Sequence, residues 1–177
     1  MTLAIYDTLL RERVAFEPLE PGRVRMYTCG PTVHDYAHIG NLRTFLFEDL
    51  LRRVLEARGY EVTQVMNLTD VDDKIIAKAR AAGETIADYT RRYTEAFFED
   101  LSTLRVERAE HYPTATGHID AMVALVKRLE ARGHTYRTDD GSIWFRIATF
   151  PDYGRLSRID MSGMRDGARA RCRSLPE

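Results

Sequence analysis

Cysteine is scarce in this 177-residue chain, which has only Cys29 and Cys172. That excludes a disulfide framework and suits a reduced, cytosolic setting. Long hydrophobic runs are missing too. No uninterrupted apolar stretch approaches the ~18 residues of a membrane span, and the opening MTLAIYDTLLRERVAF lacks a signal-peptide layout, so no membrane is expected as a partner. Neither sign of charge dominates: 26 Lys and Arg against 27 Asp and Glu leave a formal net charge of −1. No global basic field marks a nucleic-acid binder, although a local patch stays open. There is no internal repeat and no low-complexity tract. What is present, 44% hydrophobic and 30% charged residues, is ordinary for a globular protein. The length allows one domain with a real core, or one domain plus a small insertion.

RVRMYTC, residues 23–29, alternates Val24, Met26 and Thr28 against Arg23, Arg25 and Tyr27, which predicts a strand. From Asn41 to Arg58 the period turns helical, with Leu42, Phe45, Leu46, Leu50, Val54 and Leu55 on one face and Gly59 as the stop. YEVTQVMNLT, residues 60–69, reads as a second strand, and the three together suit a parallel crossover. Asp70 is expected to cap a helix running to Ala82 and Thr85 one from Ile86 to Leu104; Thr114 or Thr116 opens another that ends at Gly133. HTYRTDDGSIWFRI predicts a hairpin about Asp-Asp-Gly, and the tail from Asp160 reads as loop.

The chemistry concentrates in MYTCGPTVHDYAHIGNLRTF, residues 26–45. In open α/β sheets, ligands bind outside the carboxyl ends of the strands, and residues 29–41 fall there, between strand and helix. A helix N-terminus offers free N–H groups and partial positive charge to phosphate. Gly40 removes a side chain where a nucleotide would approach the backbone. His38 and Asn41, three apart, would point to the same ligand, and an imidazolium could stabilise charge developing on phosphate. The stretch is neither a G-x-G-x-x-G fingerprint nor a Walker A loop. Taken alone, Cys29 reads as a small apolar residue and His-Ile-Gly-Asn as a common tetrapeptide. It is their arrangement that is specific.

These residues, with IYDTLLRE, GYEVTQVMNLTDVDDKIIAKA, ARGHTYRTDDGSIWF and YGRLSR in order, resemble the N-terminal part of bacterial cysteinyl-tRNA synthetases. The resemblance implies an α/β fold, with a Rossmann-type parallel sheet from the first half of a class I catalytic domain over residues 1–112. Residues 113–177 would be a connective insertion of helix plus β-hairpin. It further implies a cytoplasmic cysteine–tRNA ligase, monomeric when complete, whose partners are L-cysteine, ATP with Mg and tRNA-Cys. His38-Ile39-Gly40-Asn41 matches the HIGH signature with Asn in last place. By resemblance His38 and Asn41 are catalytic; Gly30, His38, Gly40 and Asn41 hold ATP; and Cys29, Gly30 and Thr69 bind cysteine. Cys29 would also be the first ligand of a zinc ion that the substrate thiolate binds. A thiolate is a soft ligand and a hydroxyl a poor one, whereas shape alone separates near-isosteres by only about 1–3 kcal/mol.

Other groups read more plainly. Asp70, Asp72 and Asp73 suggest a cap and a favourable helix-dipole pair rather than paired catalytic carboxylates. His34 is expected to be a solvent-facing loop histidine, and Tyr89, Tyr93 and Phe97 a core stripe. Arg52/Arg53 and Arg91/Arg92 read as solvated helix faces, and the arginines from Arg165 to Arg173 as a charged end. The family's remaining zinc ligands and its KMSKS loop have no counterpart, and GARARCRSLPE departs from the family pattern near residue 170. The expectation is therefore a truncated portion: inactive alone, binding zinc weakly through Cys29, with an exposed sheet edge. Two alternatives remain open. One is a cysteine:amino-sugar ligase of mycothiol synthesis, against which Lys74 speaks; the other is a non-catalytic nucleotide- or tRNA-binding module of the same fold.

Overall fold

The computed structural model describes residues 3–158; Cys172 and the arginine-rich tail lie outside that range. Strand β1 (Ala4–Asp7) pairs antiparallel with β2 (Glu12–Ala15), Ala4 opposite Ala15. The tight connection puts Arg11 at φ 65°. Next come β3 (Arg23–Thr28), helix α1 (Ile39–Ala57) and β4 (Glu61–Met66). β3 and β4 are parallel, with Arg23 beside Glu61 and Thr28 beside Met66, so the predicted strand–helix–strand crossover is present.

Two further helices follow, α2 (Asp73–Ala82) and α3 (Ile86–Thr103). A 3₁₀ turn at Thr116–His118 leads into α4 (Ile119–Ala131), and β5 (Thr135–Arg137) pairs with β6 (Ile143–Phe145) as the expected hairpin. The chain forms two compact units, Pro18–Val126 and one that draws on residues 3–17 and 127–158.

In the Pro18–Val126 unit, residues 110–115 run beside β4 like a third strand. Met66 N–H donates to His111 O (3.0 Å), Leu68 N–H to Pro113 O (2.9 Å), and Ala115 N–H to Leu68 O (3.2 Å). The other edge of β3 has no strand beside it among the described residues. The core between sheet and helices is Phe45, Met66, Leu68, Phe97, Leu101, Val106 and Ala109, joined by a second cluster of Ile75, Ala79 and Tyr89. Two of the three aromatics of the expected stripe, Tyr89 and Phe97, are thus buried, while Tyr93 is half-buried.

Two expectations are corrected. Asp72, not Asp70, caps α2: its Oδ1 accepts from Ile75 N–H at 2.7 Å, with extended backbone at the cap. Leu68 and Thr69 are still paired to neighbouring segments, so the chain is extended through residue 70 and the helix starts later. Asp70 instead accepts from the backbone N–H (2.9 Å) and the hydroxyl of Thr116. Arg52 is not on a solvated face. It is 8% exposed, pairs with Glu56 at 2.8 Å and Glu110 at 2.7 Å, and donates to Arg108 O at 3.1 Å. Beside it Arg53 bridges Asp49 and Glu107, both at 2.8 Å. These partners lie either on α1 itself or 54–58 residues away, on the segment that returns to β4.

Candidate functional site

Beyond the carboxyl end of β3 lies a cleft of about 670 Å³. Its lining comes from Cys29 to His38, from Asn41, Thr44 and Phe45 on α1, from Lys74 on α2, and from Tyr93 and Phe97 on α3. Cys29, Gly30, His38 and Asn41 are thus brought together; Gly40 and Thr69 are not among the lining residues.

The start of α1 explains the His-Ile-Gly-Asn spacing. His38 is the N-cap in extended backbone, its Nδ1 accepts from Gly40 N–H at 3.0 Å, and Asn41 Oδ1 accepts from His38 N–H at 3.1 Å. This is a reciprocal capping box in which an imidazole stands where Ser or Thr is usual. A ring that accepts at Nδ1 carries its hydrogen at Nε2. The hydrogen-bonding group His38 has left to offer the cleft is therefore an Nε2–H donor, and the cap is incompatible with a proton on Nδ1. Gly40 serves this cap directly: a Cβ there would lie 2.9 Å from the ring's Cε1 and 3.0 Å from Nδ1.

The Cys29–Gly30 turn is held by Asn67, a residue the sequence reading passed over. Asn67 Oδ1 accepts from Gly30 N–H at 3.3 Å and from the Tyr27 hydroxyl at 3.1 Å, and its Nδ2 donates to Thr69 Oγ1 at 3.3 Å. A Cβ on Gly30 would sit 1.8 Å from Asn67 O, so only glycine fits. Thr69 acts through its backbone: its N–H donates to Pro31 O and its O accepts from Val33 N–H, both at 3.0 Å. The Cys29 thiol is exposed and makes one weak contact, with Gly30 O at 3.7 Å.

His34 is half-buried and lines the cleft, not facing solvent as expected. Its Nδ1 donates to Thr32 O at 3.0 Å, which leaves Nε2 as an acceptor in the neutral ring. The two cleft histidines thus offer a ligand opposite hydrogen-bonding characters. Asp35 pairs with Lys78 at 2.8 Å. The Lys78 ammonium, then the Tyr36 N–H, hold the Asp35 carboxyl below its ordinary range. Among the described residues no three His, Cys, Asp or Glu side chains cluster to hold a metal ion. Cys29 could give a zinc ion one ligand, short of the four of a tetrahedral site.

A parallel strand–helix–strand unit with a cleft at the carboxyl end of its first strand, bordered by a helix N-terminus, defines the class of the protein as an open, Rossmann-type α/β fold. More narrowly, the chain belongs to the family described as tRNA synthetases class I (C) catalytic domain, which matches residues 15–174. It is 52% identical over 169 residues to a "Cysteine--tRNA ligase" of Koribacter versatilis, covering 96% of this chain and 34% of that protein. It is 54% identical to one of Solibacter usitatus, covering 96% and 36% respectively. The chain thus spans about a third of the length of these relatives.

Among solved structures it is similar to the agnB2 LeuRS of Agrobacterium radiobacter K84 in a ternary complex with tRNA and LeuAMS. There the TM-score is 0.58 and the identity 25%, with 70% of this chain and 16% of that one covered. The fold is shared as well with Mycobacterium tuberculosis methionyl-tRNA synthetase in complex with methionyl-adenylate, at a TM-score of 0.59 and 22% identity, covering 64% and 23%.

Proposed function

We propose that this chain is the nucleotide-activating part of a cysteine–tRNA ligase, which joins L-cysteine to ATP as cysteinyl-adenylate and passes the acyl group to tRNA-Cys. The observation that carries the reading is the shared name of relatives about 50% identical across 96% of the chain. The cleft geometry supports it. In this reading the Nε2–H of His38 and the amide of Asn41 meet the ATP phosphates, supplied with Mg, where preorganised donors favour developing charge. Gly30 meets ATP and cysteine through the backbone of a turn that only glycine lets pack on Asn67 O, and Gly40 leaves space for the capping imidazole. Cys29 supplies one thiolate ligand to a zinc ion, which would bind the substrate sulfur and discriminate against serine. Thr69 serves the cysteine pocket by tying residues 31–33 to the end of β4. Residues 1–112 then form the first half of the catalytic domain and 113–177 an insertion.

The test is calorimetry of the 177-residue chain with a non-hydrolysable cysteinyl-adenylate analogue, its seryl counterpart and ATP. The cysteinyl analogue is expected to bind, and His38→Ala to weaken it by about tenfold, the loss of one or two hydrogen bonds to charged oxygens. Binding of neither analogue would sink the reading. The two analogues are expected to bind this chain about equally, because Cys29 supplies only one of the four ligands that a discriminating zinc ion needs.

A further inference from the structure

We propose that Lys78 and Tyr89 are positioning residues that together fix the cleft wall at residues 34–36. The inference rests on the reading of this cleft as the adenylate site. Lys78 Nζ on α2 donates to His34 O at 3.1 Å, and the Tyr89 hydroxyl on α3 donates to the same oxygen, also at 3.1 Å. A carbonyl oxygen has two lone pairs, so both bonds are satisfied at once. Lys78 also holds Asp35 at 2.8 Å. An exposed Lys–Asp pair contributes little by itself; convergence with a second, buried donor makes it a clamp.

Tyr89 is 5% exposed, and a buried phenol needs a partner for its hydroxyl. Its ring is held in turn by Tyr93 at 5.3 Å and by the Arg92 guanidinium at 4.7 Å. Tyr36, at the far end of the wall, packs edge-on against Tyr93 at 5.1 Å.

The need for the clamp follows from the backbone. Residues 31–33 are tied to Thr69 by two hydrogen bonds, but none of the described bonds to β4 reaches residues 34–36. Two helices therefore do there what the sheet does for the preceding residues. The clamp sets where the His34 ring and Tyr36 stand in the cleft, although neither Lys78 nor Tyr89 lines it.

Amide hydrogen exchange and analogue binding, measured on the 177-residue chain, test this with Tyr89→Phe, Lys78→Met, the double variant and Lys78→Arg. In the double variant, exchange across residues 33–36 is expected to quicken by about tenfold, with β3 and α1 unchanged. The cysteinyl-adenylate analogue should bind several-fold more weakly, and Lys78→Arg should restore both readouts. Unchanged exchange at 33–36 would overturn the clamp, as would acceleration spread equally over β3 and α1. Faster local exchange with unchanged affinity would overturn its role in ligand positioning. If the double variant folds poorly, Tyr89→Phe, which removes one oxygen, decides by the same local pattern. If the parent chain does not bind the analogue, the proposed function fails, and exchange alone decides the clamp.

Discussion

Two single residues make opposite kinds of demand on the fold. Gly30 is required by space and not by conformation, since its φ is not among the positive ones. A methyl group there would meet Asn67 O at 1.8 Å and Met66 Cγ at 2.9 Å. The oxygen belongs to the backbone and cannot swing away. Gly30→Ala is expected to destabilise by about 3 kcal/mol, at the upper end of overpacking costs, as read by urea denaturation. An undiminished midpoint would show that the β3 and β4 ends separate easily. Glu48, on α1, is a polar group placed at a cost. Its Oε2 is buried without a hydrogen-bond partner among the described residues. Burial pushes its carboxyl up, against the Thr28 hydroxyl bond that pulls it down. A raised carboxyl favours folding most below its ordinary unfolded value of about 4.3, and that contribution is lost as pH rises through the higher folded value. Glu48→Gln should therefore stabilise the chain by about 1 kcal/mol at pH 7, and the gain should shrink below pH ~4. A gain that grows on acidification would reverse the assignment.

At the scale of elements, Arg52 fastens α1 to the segment that returns beside β4. It meets Glu56, Glu107 and Glu110 and the carbonyl of Arg108, while Glu110 also accepts from Gln64 N–H at 2.6 Å. The guanidinium is buried but the three glutamates it would leave behind are each about a third exposed, so Arg52→Met should cost about 2 kcal/mol, mostly in lost charged hydrogen bonds. Burial alone would raise the Glu110 carboxyl, but the Gln64 N–H and Arg52 outweigh it and hold it below the usual range. A depressed carboxyl stabilises above about pH 4.3, and that stability is lost as pH falls through its lowered folded value. Arg52→Met should therefore begin acid unfolding at higher pH than the parent, in a circular-dichroism titration. The sequence could not announce this network, because Glu107 and Glu110 lie more than 50 residues from Arg52 and periodicity reports only local faces. Local rules did find β3, α1 and β4, whose apolar period and Gly59 stop are written in consecutive residues. They failed where two neighbours were equally eligible, as with Asp70 and Asp72. They failed also where the cap was an imidazole, which the usual Ser/Thr template omits. Four candidate site residues, Cys29, Gly30, His38 and Asn41, were legible because strand, turn and helix start are contiguous. Asn67, Lys78 and Tyr89 were not, since each acts on that turn or its loop from a distant segment.

For the whole molecule, the exposed parts of the Pro18–Val126 unit decide its behaviour in solution. β3 has a strand on one side only among the described residues. On α1, Leu46, Phe47 and Leu50 are 39%, 66% and 58% exposed, and Tyr27 on β3 is 69% exposed. Leu46 and Leu50 are four apart and share one face of the helix. An unpaired strand edge is a template for another strand, and contiguous apolar surface favours association. The 177-residue chain, of mass 20.4 kDa, is therefore expected to self-associate as its concentration rises. Sedimentation velocity over a hundredfold range checks this, with the weight-average coefficient climbing. Leu50→Lys and Phe47→Glu together should reduce the climb, since charge on that face opposes burial. They should leave the cleft untouched, because neither residue lines it. A parent chain that stays monomeric throughout would mean that strand edge and helix face are too weakly sticky to matter. Association unaffected by the two substitutions would move its cause from α1 to the open edge of β3, where a proline at Arg25 is the next variant to measure.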